Sequence, residues 1–494
     1  MKKVVVIGAG PGGLSAAMLL AHRGYEVHVY EKAACVGGRN RCLQLEDYRF
    51  DLGPTFWSMI HLAEEQFASI GKNLHEYMAV TDLSHMYDLY FADGEKLTVT
   101  RDQAEMSQRL ATQFPGNEHG YQQFLIENRE RMRALTPILR QPMQKWRDYI
   151  QPEVIRALPK LQLTKSLANE LTRWFSAPNL QLAFGFQAKY LGMSPQECPA
   201  AFSILAFMEH EYGIMHVRGG LNQLSHSMAK IVQEGNGYLH LQQPVQQILV
   251  EQNRATGIRL ANDEVVDADY VIINEDFAQA MTEQFAEGVL KKYTPEKLAK
   301  RKYSCSTLMF YLGIKQKYPD IAHHNIIFSD DYEQSLQEIF GEYTLPTSPS
   351  IYLQNASVTD HTLAPNGHST FYILAPMPNN VSGADWNETQ VEHYRQWIFS
   401  RIETKLGVKF QEHIQVQAVI TPNDWQKNYD VYKGAVFNLS HQLTQMMTFR
   451  PHNQFEEIEG VYLVGGGTHP GSGLPTILES GRISAELIQK SHEG

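Results

Sequence analysis

The first thirty-one residues constrain the fold more than any other part of the chain. Val4-Val5-Val6-Ile7 reads as a buried parallel strand, Gly8-Ala9-Gly10-Pro11-Gly12-Gly13 supplies Gly-x-Gly-x-x-Gly, and Leu14 to Arg23 continues as a helix. Gly24 ends that helix, Val27-His28-Val29-Tyr30 forms a second strand, and Glu31 closes the unit. The glycines permit a tight turn and let backbone N–H groups approach a pyrophosphate at a helix N-terminus. A carboxylate ending the second strand is the acceptor a ribose diol requires. Strand, glycines, helix, strand and acid in this order specify a dinucleotide site; a bare βα turn leaves Glu31 unexplained.

A chain of 494 residues exceeds one ordinary core, so two or three lobes are expected. The net charge of −11 argues against nucleic acid as a partner. That charge is uneven. Between Arg129 and Arg173 ten Lys or Arg face four acids, leaving about +6 there and about −17 in the remainder. The basic stretch is interleaved with Leu135, Ile138, Leu139, Met143, Trp146, Tyr149, Ile150, Leu158 and Leu161. It reads either as a solvated helix face or as a surface suited to an anionic leaflet. The longest apolar stretch, Ala200 to Met208, is too short to cross a bilayer. Four cysteines (Cys35, Cys42, Cys198, Cys305) show no metal spacing or disulfide framework, and the first strand leaves no room for a leader, so a reducing, cytoplasmic setting is expected.

The lobes are expected to interleave. Residues 1–70, 213–299 and 431–494 read as three parts of the dinucleotide-binding domain. Residues 71–100 and 300–430 carry strands of a second domain, and 101–212 form a helical subdomain. Near the C-terminus Val461-Tyr462-Leu463-Val464, a Gly465-Gly466-Gly467-Thr468 loop and a helix over Leu478 to Ile488 repeat the strand, loop, helix order. The dipole of that helix suits negative cofactor atoms, although one more βα unit of a doubly wound sheet reads the same way. No second Gly-x-Gly-x-x-Gly with a following acid exists, so a nicotinamide lobe is not expected.

After Glu31 come Val36-Gly37-Gly38-Arg39 and Phe50-Asp51-Leu52-Gly53-Pro54-Thr55. With these the chain resembles the flavin-containing amine oxidase and carotenoid desaturase superfamily. Gly467-Thr468-His469-Pro470-Gly471-Ser472-Gly473-Leu474-Pro475 is similar to the Gly-Thr-His-Pro-Gly-x-Gly-x-Pro signature of bacterial-type carotenoid desaturases. Asp360 to Gly367, Phe371 to Pro378, Thr421 to Asp424 and Gly213 to Gly220 match the same family. Tyr303 to Ser306, His324 to Asp331 and Asp424 to Tyr429 look closest to its dehydrosqualene (diapophytoene) branch. Sister carotenoid oxygenases tend to carry Asn-Pro-Gly where this chain has His469-Pro470-Gly471.

The resemblance implies an α/β architecture: a Rossmann-like FAD-binding domain, an interleaved mixed-sheet substrate domain and a helical membrane-associating subdomain. It implies FAD held by Gly8, Gly10, Gly13, Glu31, Gly38, Arg39, Gly53, Pro54, Thr55, Val245, Gly466, Gly467, Thr468, Gly473, Leu474 and Pro475. The implied reaction removes two hydrogens from adjacent carbons of a linear thirty- or forty-carbon polyene, with a hydride passing to flavin N5. The substrate lives in a bilayer, so the enzyme is expected at the membrane surface, with Leu180 to Met208 as a hydrophobic tunnel wall or a packed core. Oxygen or a quinone is the implied electron acceptor. Asp148, Arg156 and His469 are the candidates for handling the proton; a surface salt bridge for the first two and a structural role for His469 stand beside that reading. Two alternatives remain: a flavin-dependent oxygenase of carotenoid terminal methyls, and a prenyl-lipid binding protein of the same fold.

Overall fold

A computed structural model describes residues 1–493. The Lys3–Ile7 strand is central to a five-stranded parallel sheet in the order Val461–Leu463, Tyr270–Ile273, Lys3–Ile7, Glu26–Glu31, Gly237–Leu241. Its apolar residues alternate between two cores, which is why the strand reads as continuously hydrophobic. Val4 and Val6 face the Pro11–His22 helix, itself wedged between Asn222–Glu234 and Leu474–Glu493. Val5 and Ile7 face a three-stranded antiparallel sheet (Val245–Glu251, Arg254–Leu260, Val265–Asp267) and the Phe277–Glu283 helix.

The second sheet has seven strands in the order Ile414–Ile420, Ser306–Ile314, Ser369–Met377, Ile351–Gln354, His324–Ile327, His85–Tyr90, Lys96–Thr100. All its pairings are antiparallel except that of His85–Tyr90 with His324–Ile327. Period-two alternation sends Leu308, Phe310 and Leu312 to one face, against Ile398, Phe399 and Ile402 of the Glu388–Leu406 helix. Met309, Tyr311, Tyr352 and Tyr372 point the other way, into the core shared with the helical lobe.

That lobe is built on the Glu118–Leu139 helix. The stretch from Leu180 to Met208 is broken into the Pro178–Ala183 helix, single turns at Phe186–Leu191 and Ala200–Ser203, and the start of Ile204–Tyr212. Pro195, Pro199, Gly185 and Gly192 account for the interruptions, since none of them continues a helix well. The C-terminal helix begins at Leu474, one turn before the expected Leu478. The lobe also encloses a charged pair. Arg131 and Glu170, side chains only 3% and 1% exposed, lie 3.2 Å apart. Arg131 also donates to the carbonyls of Lys160 and Ala200 and to Asn128 Oδ1, tying three helical segments together.

Arg131→Met should therefore cost about 3–5 kcal/mol, because Glu170 is left buried with only Arg173 at its edge. Urea unfolding followed by tryptophan fluorescence measures this. Adding Glu170→Leu should recover most of the loss.

Candidate active site

The glycine turn is shaped by what a side chain would strike. A Cβ on Gly13 would lie 2.5 Å from the Gly8 carbonyl oxygen, and one on Gly10 2.7 Å from Asn274 Nδ2. Asn274, directly after the Tyr270–Ile273 strand, donates to the Gly8 carbonyl at 3.1 Å and braces the turn. The first turn of the Pro11–His22 helix has no side-chain cap and no acid. Its N–H groups are left for an anion. Glu31 accepts the N–H groups of Ala9 (2.8 Å) and Ala33 (2.9 Å), which fixes its carboxylate beside the turn. Each oxygen keeps acceptor capacity for a diol. Val245 begins the neighbouring strand; just before it, Gln243 donates its N–H to the Glu31 carbonyl at 2.9 Å.

The next loop lies against this turn. Gly37 donates its N–H to the Ala9 carbonyl at 2.8 Å, and Gly38 adopts φ +54° with its Cβ position 3.5 Å from Gly10 Cα. Arg39 Nη1 donates to the Val436 carbonyl at 2.7 Å. Three tyrosines of the seven-stranded sheet then fix residues 52–55. Tyr311 donates to the Leu52 carbonyl (2.5 Å), Tyr372 donates to the Gly53 carbonyl (2.7 Å), and the Tyr352 hydroxyl lies 2.8 Å from Thr55 Oγ1. Pro54 sits in this loop, half-buried like Thr55.

The C-terminal loop is held from beneath by Arg450. This guanidinium is 1% exposed and has no carboxylate partner among the described residues; it donates to the carbonyls of Gly466 (2.6 Å) and Thr468 (3.1 Å). Burial brings its pKa down to about 9. Thr468 Oγ1 donates to the Pro451 carbonyl, and His441 Nε2 accepts the Ser472 N–H at 3.1 Å. A Cβ on Gly467 would meet Phe277 Cβ at 2.4 Å, and Gly473 takes φ +116° immediately before Leu474 and Pro475 open the helix. No acid stands in that helix's first turn.

Of the three proton-handling candidates, the fold gathers only His469 into this loop. It is 5% exposed, Asn453 donates to its carbonyl at 2.9 Å, and its Nε2 has no partner among the described residues. Burial, opposed by the Gln141 backbone and reinforced by Arg450, pushes its pKa down to about 4. Asp148 accepts the Lys145 N–H at 2.7 Å in a short helical turn, Arg156 faces solvent, and no ion pair joins them among the described residues. The basic stretch is therefore not organised around an Asp148–Arg156 pair. Sequence reasoning missed Asn274, Arg450, His441 and the three tyrosines. Only the tyrosines carried a signal, a polar-tipped aromatic on one face of each of three apolar strands.

A buried polar cluster lies deeper in the lobe. Phe56, next to Thr55, stacks on His324 at 4.4 Å and lies 6.0 Å from Tyr87. Tyr87 (2.8 Å) and Gln187 (3.0 Å) both donate to Glu209 Oε2, and the Tyr87 ring packs on Phe186 at 6.3 Å in the core that also holds Phe184 and Phe207. Burial raises the Glu209 carboxyl to about 7 against these two donors. His324, with Nδ1 2.7 Å from the Tyr352 hydroxyl, is held neutral by burial.

The chain matches the family of flavin containing amine oxidoreductases over residues 11–489. It is 45% identical over 492 residues to a 4,4'-diapophytoene desaturase (4,4'-diapolycopene-forming) from Methylomonas sp, covering 99% of this chain and 96% of the relative. It is 34% identical to a zeta-carotene-forming phytoene desaturase from Myxococcus xanthus, over 99% and 94% of the two chains. A putrescine oxidase crystal structure superposes with TM-score 0.66 at 14% identity, covering 99% of each chain. The fold and site thus define a flavin-dependent oxidoreductase. Within that class the chain belongs to the carotenoid desaturase family, and its cofactor is FAD.

Gly13→Ala should purify with under about a tenth of the parent's flavin, since the added methyl meets main chain that cannot move aside; the visible flavin absorbance per protein reads this directly. Glu31→Ala should retain less flavin than the parent. Glu209 gives a pH test. Its folded pKa is raised, so its stability contribution is greatest below the ordinary carboxyl value near 4.5 and is lost as pH rises to about 7. Glu209→Gln should gain about 3 kcal/mol on the parent between those limits, as paired urea titrations at the two pH values would show.

Proposed function

We propose that this chain is an FAD-dependent desaturase of linear carotenoid precursors, acting stepwise on a thirty-carbon diapophytoene-type or forty-carbon phytoene-type polyene. The observation that carries this reading is one juxtaposition. A flavin cradle meets, through the Leu52–Thr55 loop, a large core of Phe, Leu, Met and Tyr side chains. A saturated segment beside a triene offers nothing to hydrogen-bond, so binding must come from apolar contact. Bound FAD supplies a two-electron acceptor able to take a hydride from an allylic carbon.

The protein's own share is position, dryness and a proton acceptor. Tyr311 and Tyr372 fix the main chain of the loop that borders the lobe. The Phe184, Phe186 and Phe207 side chains exclude water. The burial and unpartnered Nε2 of His469 support this imidazole, rather than Asp148 or Arg156, as the group that accepts the proton at Nε2. A base this weak suffices because a C–H bond beside a polyene cation is strongly acidic. Oxygen or a quinone accepts the electrons from the reduced cofactor.

Access is by a membrane face. No helix among the described residues is long and apolar enough to cross a bilayer. The Pro152–Leu161 helix buries Val154, Ala157 and Leu161 yet leaves Ile155 and Leu158 exposed, with Trp146 and Ile150 exposed in the preceding turn. Lys145, Arg147, Arg156 and Lys160 surround these side chains. Apolar tips in a basic rim suit peripheral insertion into an anionic leaflet.

Incubation of the FAD-loaded protein with liposomes containing diapophytoene, and separately phytoene, should shift product absorption stepwise into the visible, and the faster substrate sets chain length. An aldehyde or acid from a preformed carotenoid, with no change in either precursor, would establish an oxygenase instead. His469→Gln should lower turnover by about 10²-fold without loss of bound flavin.

A further inference from the structure

A second concave surface lies outside the cofactor and substrate sites. A cavity of about 330 Å³ opens beside the Pro295–Ala299 helix, with Lys292, Lys297, Lys300 and Arg301 on one wall. The 443–449 loop forms the other, presenting Thr444, Thr448 and Phe449. Gln445 staples the walls together: its Oε1 accepts the Lys302 N–H at 3.1 Å and its Nε2 donates to the Lys302 carbonyl at 2.8 Å.

The charge here is not balanced. Lys292 pairs with Glu456 at 2.5 Å, and Lys297 donates to the Lys291 carbonyl. Lys300 and Arg301 form no ion pair among the described residues. Glu457, the other nearby acid, accepts the N–H groups of Lys291, Lys292 and Tyr293, and Glu296 lies on the helix itself. A protein of net charge −11 thus concentrates unpaired cations and two hydroxyl donors around one cavity. Two apolar side chains project beside them, Leu443 at 44% and Phe449 at 60% exposure.

Cations and hydroxyls suit a phosphate; exposed Leu and Phe at the same mouth suit an alkyl chain attached to it. The cavity also adjoins the cofactor loop, because Phe449 directly precedes Arg450, whose guanidinium carries the Gly466 and Thr468 carbonyls. His469 in that loop contacts the Gln141 backbone, at the edge of the lobe bearing Trp146 and Ile155. We propose that this cavity binds the phosphate headgroup of an anionic phospholipid, with Lys300, Arg301 and the two Thr hydroxyls on the phosphate and Phe449 and Leu443 among the acyl chains. This rests on the membrane-face reading above and extends it to a second, headgroup-reading contact.

The test uses the FAD-loaded protein in co-sedimentation with vesicles of phosphatidylcholine alone or mixed with phosphatidylglycerol. The parent should prefer the mixed vesicles. Lys300→Gln with Arg301→Gln should reduce that preference, weakening binding to mixed vesicles by roughly fivefold per charge while binding to pure phosphatidylcholine stays the same. Phe449→Ala should weaken binding to both. Flavin content monitors folding of each variant. A double variant that binds mixed vesicles as tightly as the parent overturns the proposal and leaves the membrane-face reading intact. A parent that binds inorganic phosphate through Lys300 and Arg301 yet sediments equally with both vesicles overturns it in favour of a free-phosphate site. A parent that sediments with neither vesicle overturns both readings, and Ile155→Ser, which should weaken binding to both vesicles, tests the membrane face alone.

Discussion

Everything in this molecule depends on a crossing at which main chain touches main chain. A Cβ on Gly12 would sit 3.1 Å from the Gly465 nitrogen, and one on Gly481 would sit 2.6 Å from the Gly12 carbonyl oxygen and 2.6 Å from Ser15 Oγ. The first helix and the last therefore approach to a distance that only glycine permits. Ser15 Oγ and Gln66 Nε2 both donate to the Leu478 carbonyl and lock the approach. The joined segments stand more than 450 residues apart in sequence. Loop-closure entropy grows only logarithmically with length, so so distant a junction is affordable once its packing is good. The crossing also brings the N-termini of the first and last helices close together, which neither end of the chain achieves alone.

The electrostatics of the site follow from what the fold leaves uncompensated. Arg450 is a buried cation whose hydrogen-bond partners are carbonyl oxygens alone, with Nη1 left unpartnered among the described residues, an arrangement that costs desolvation without a counter-charge. It holds the 466–468 loop while giving that loop a positive background, which suits a cofactor carrying phosphates and gaining electrons. The uncapped helix at Pro11 and the acid-free first turn at Leu474 add partial positive charge of the same sense. Glu31 places a negative charge beside the turn, and it is anchored by two backbone N–H groups.

The parts legible in the sequence are those governed by local rules. The βαβ unit over Lys3–Glu31 and the strands within residues 71–100 and 300–430 follow from periodicity and turn residues. Gly53-Pro54-Thr55 and Gly466-Gly467-Thr468 were legible through their resemblance to known motifs. What supports them was not. Tyr311, Tyr352 and Tyr372 reach the Leu52–Thr55 loop from strands more than 250 residues away, and Arg450 is one arginine among many until its carbonyl partners are seen. At Asp148 and Arg156, where the family resemblance suggested a pair, no ion pair forms among the described residues: Asp148 accepts an N–H in a short turn and Arg156 faces solvent.

The buried histidines around this site and Glu209 of the helical lobe share a property that a hydrocarbon site requires. His323, His324 and His441 are held neutral by burial and His469 is pushed down to about 4, so the imidazoles carry little charge near neutral pH, while Glu209, raised to about 7, is only partly ionised there. An ionised group facing an alkyl chain would hold water, and water would quench any cation formed on the polyene. Neutral imidazoles and a reluctant carboxyl instead offer lone pairs and dipoles in a dry setting, able to stabilise transient positive charge without competing for it in the resting state. Burial is thus the device that reconciles polar chemistry with an apolar ligand. The same packing that excludes water from Phe184, Phe186 and Phe207 sets the protonation state of the groups beside them.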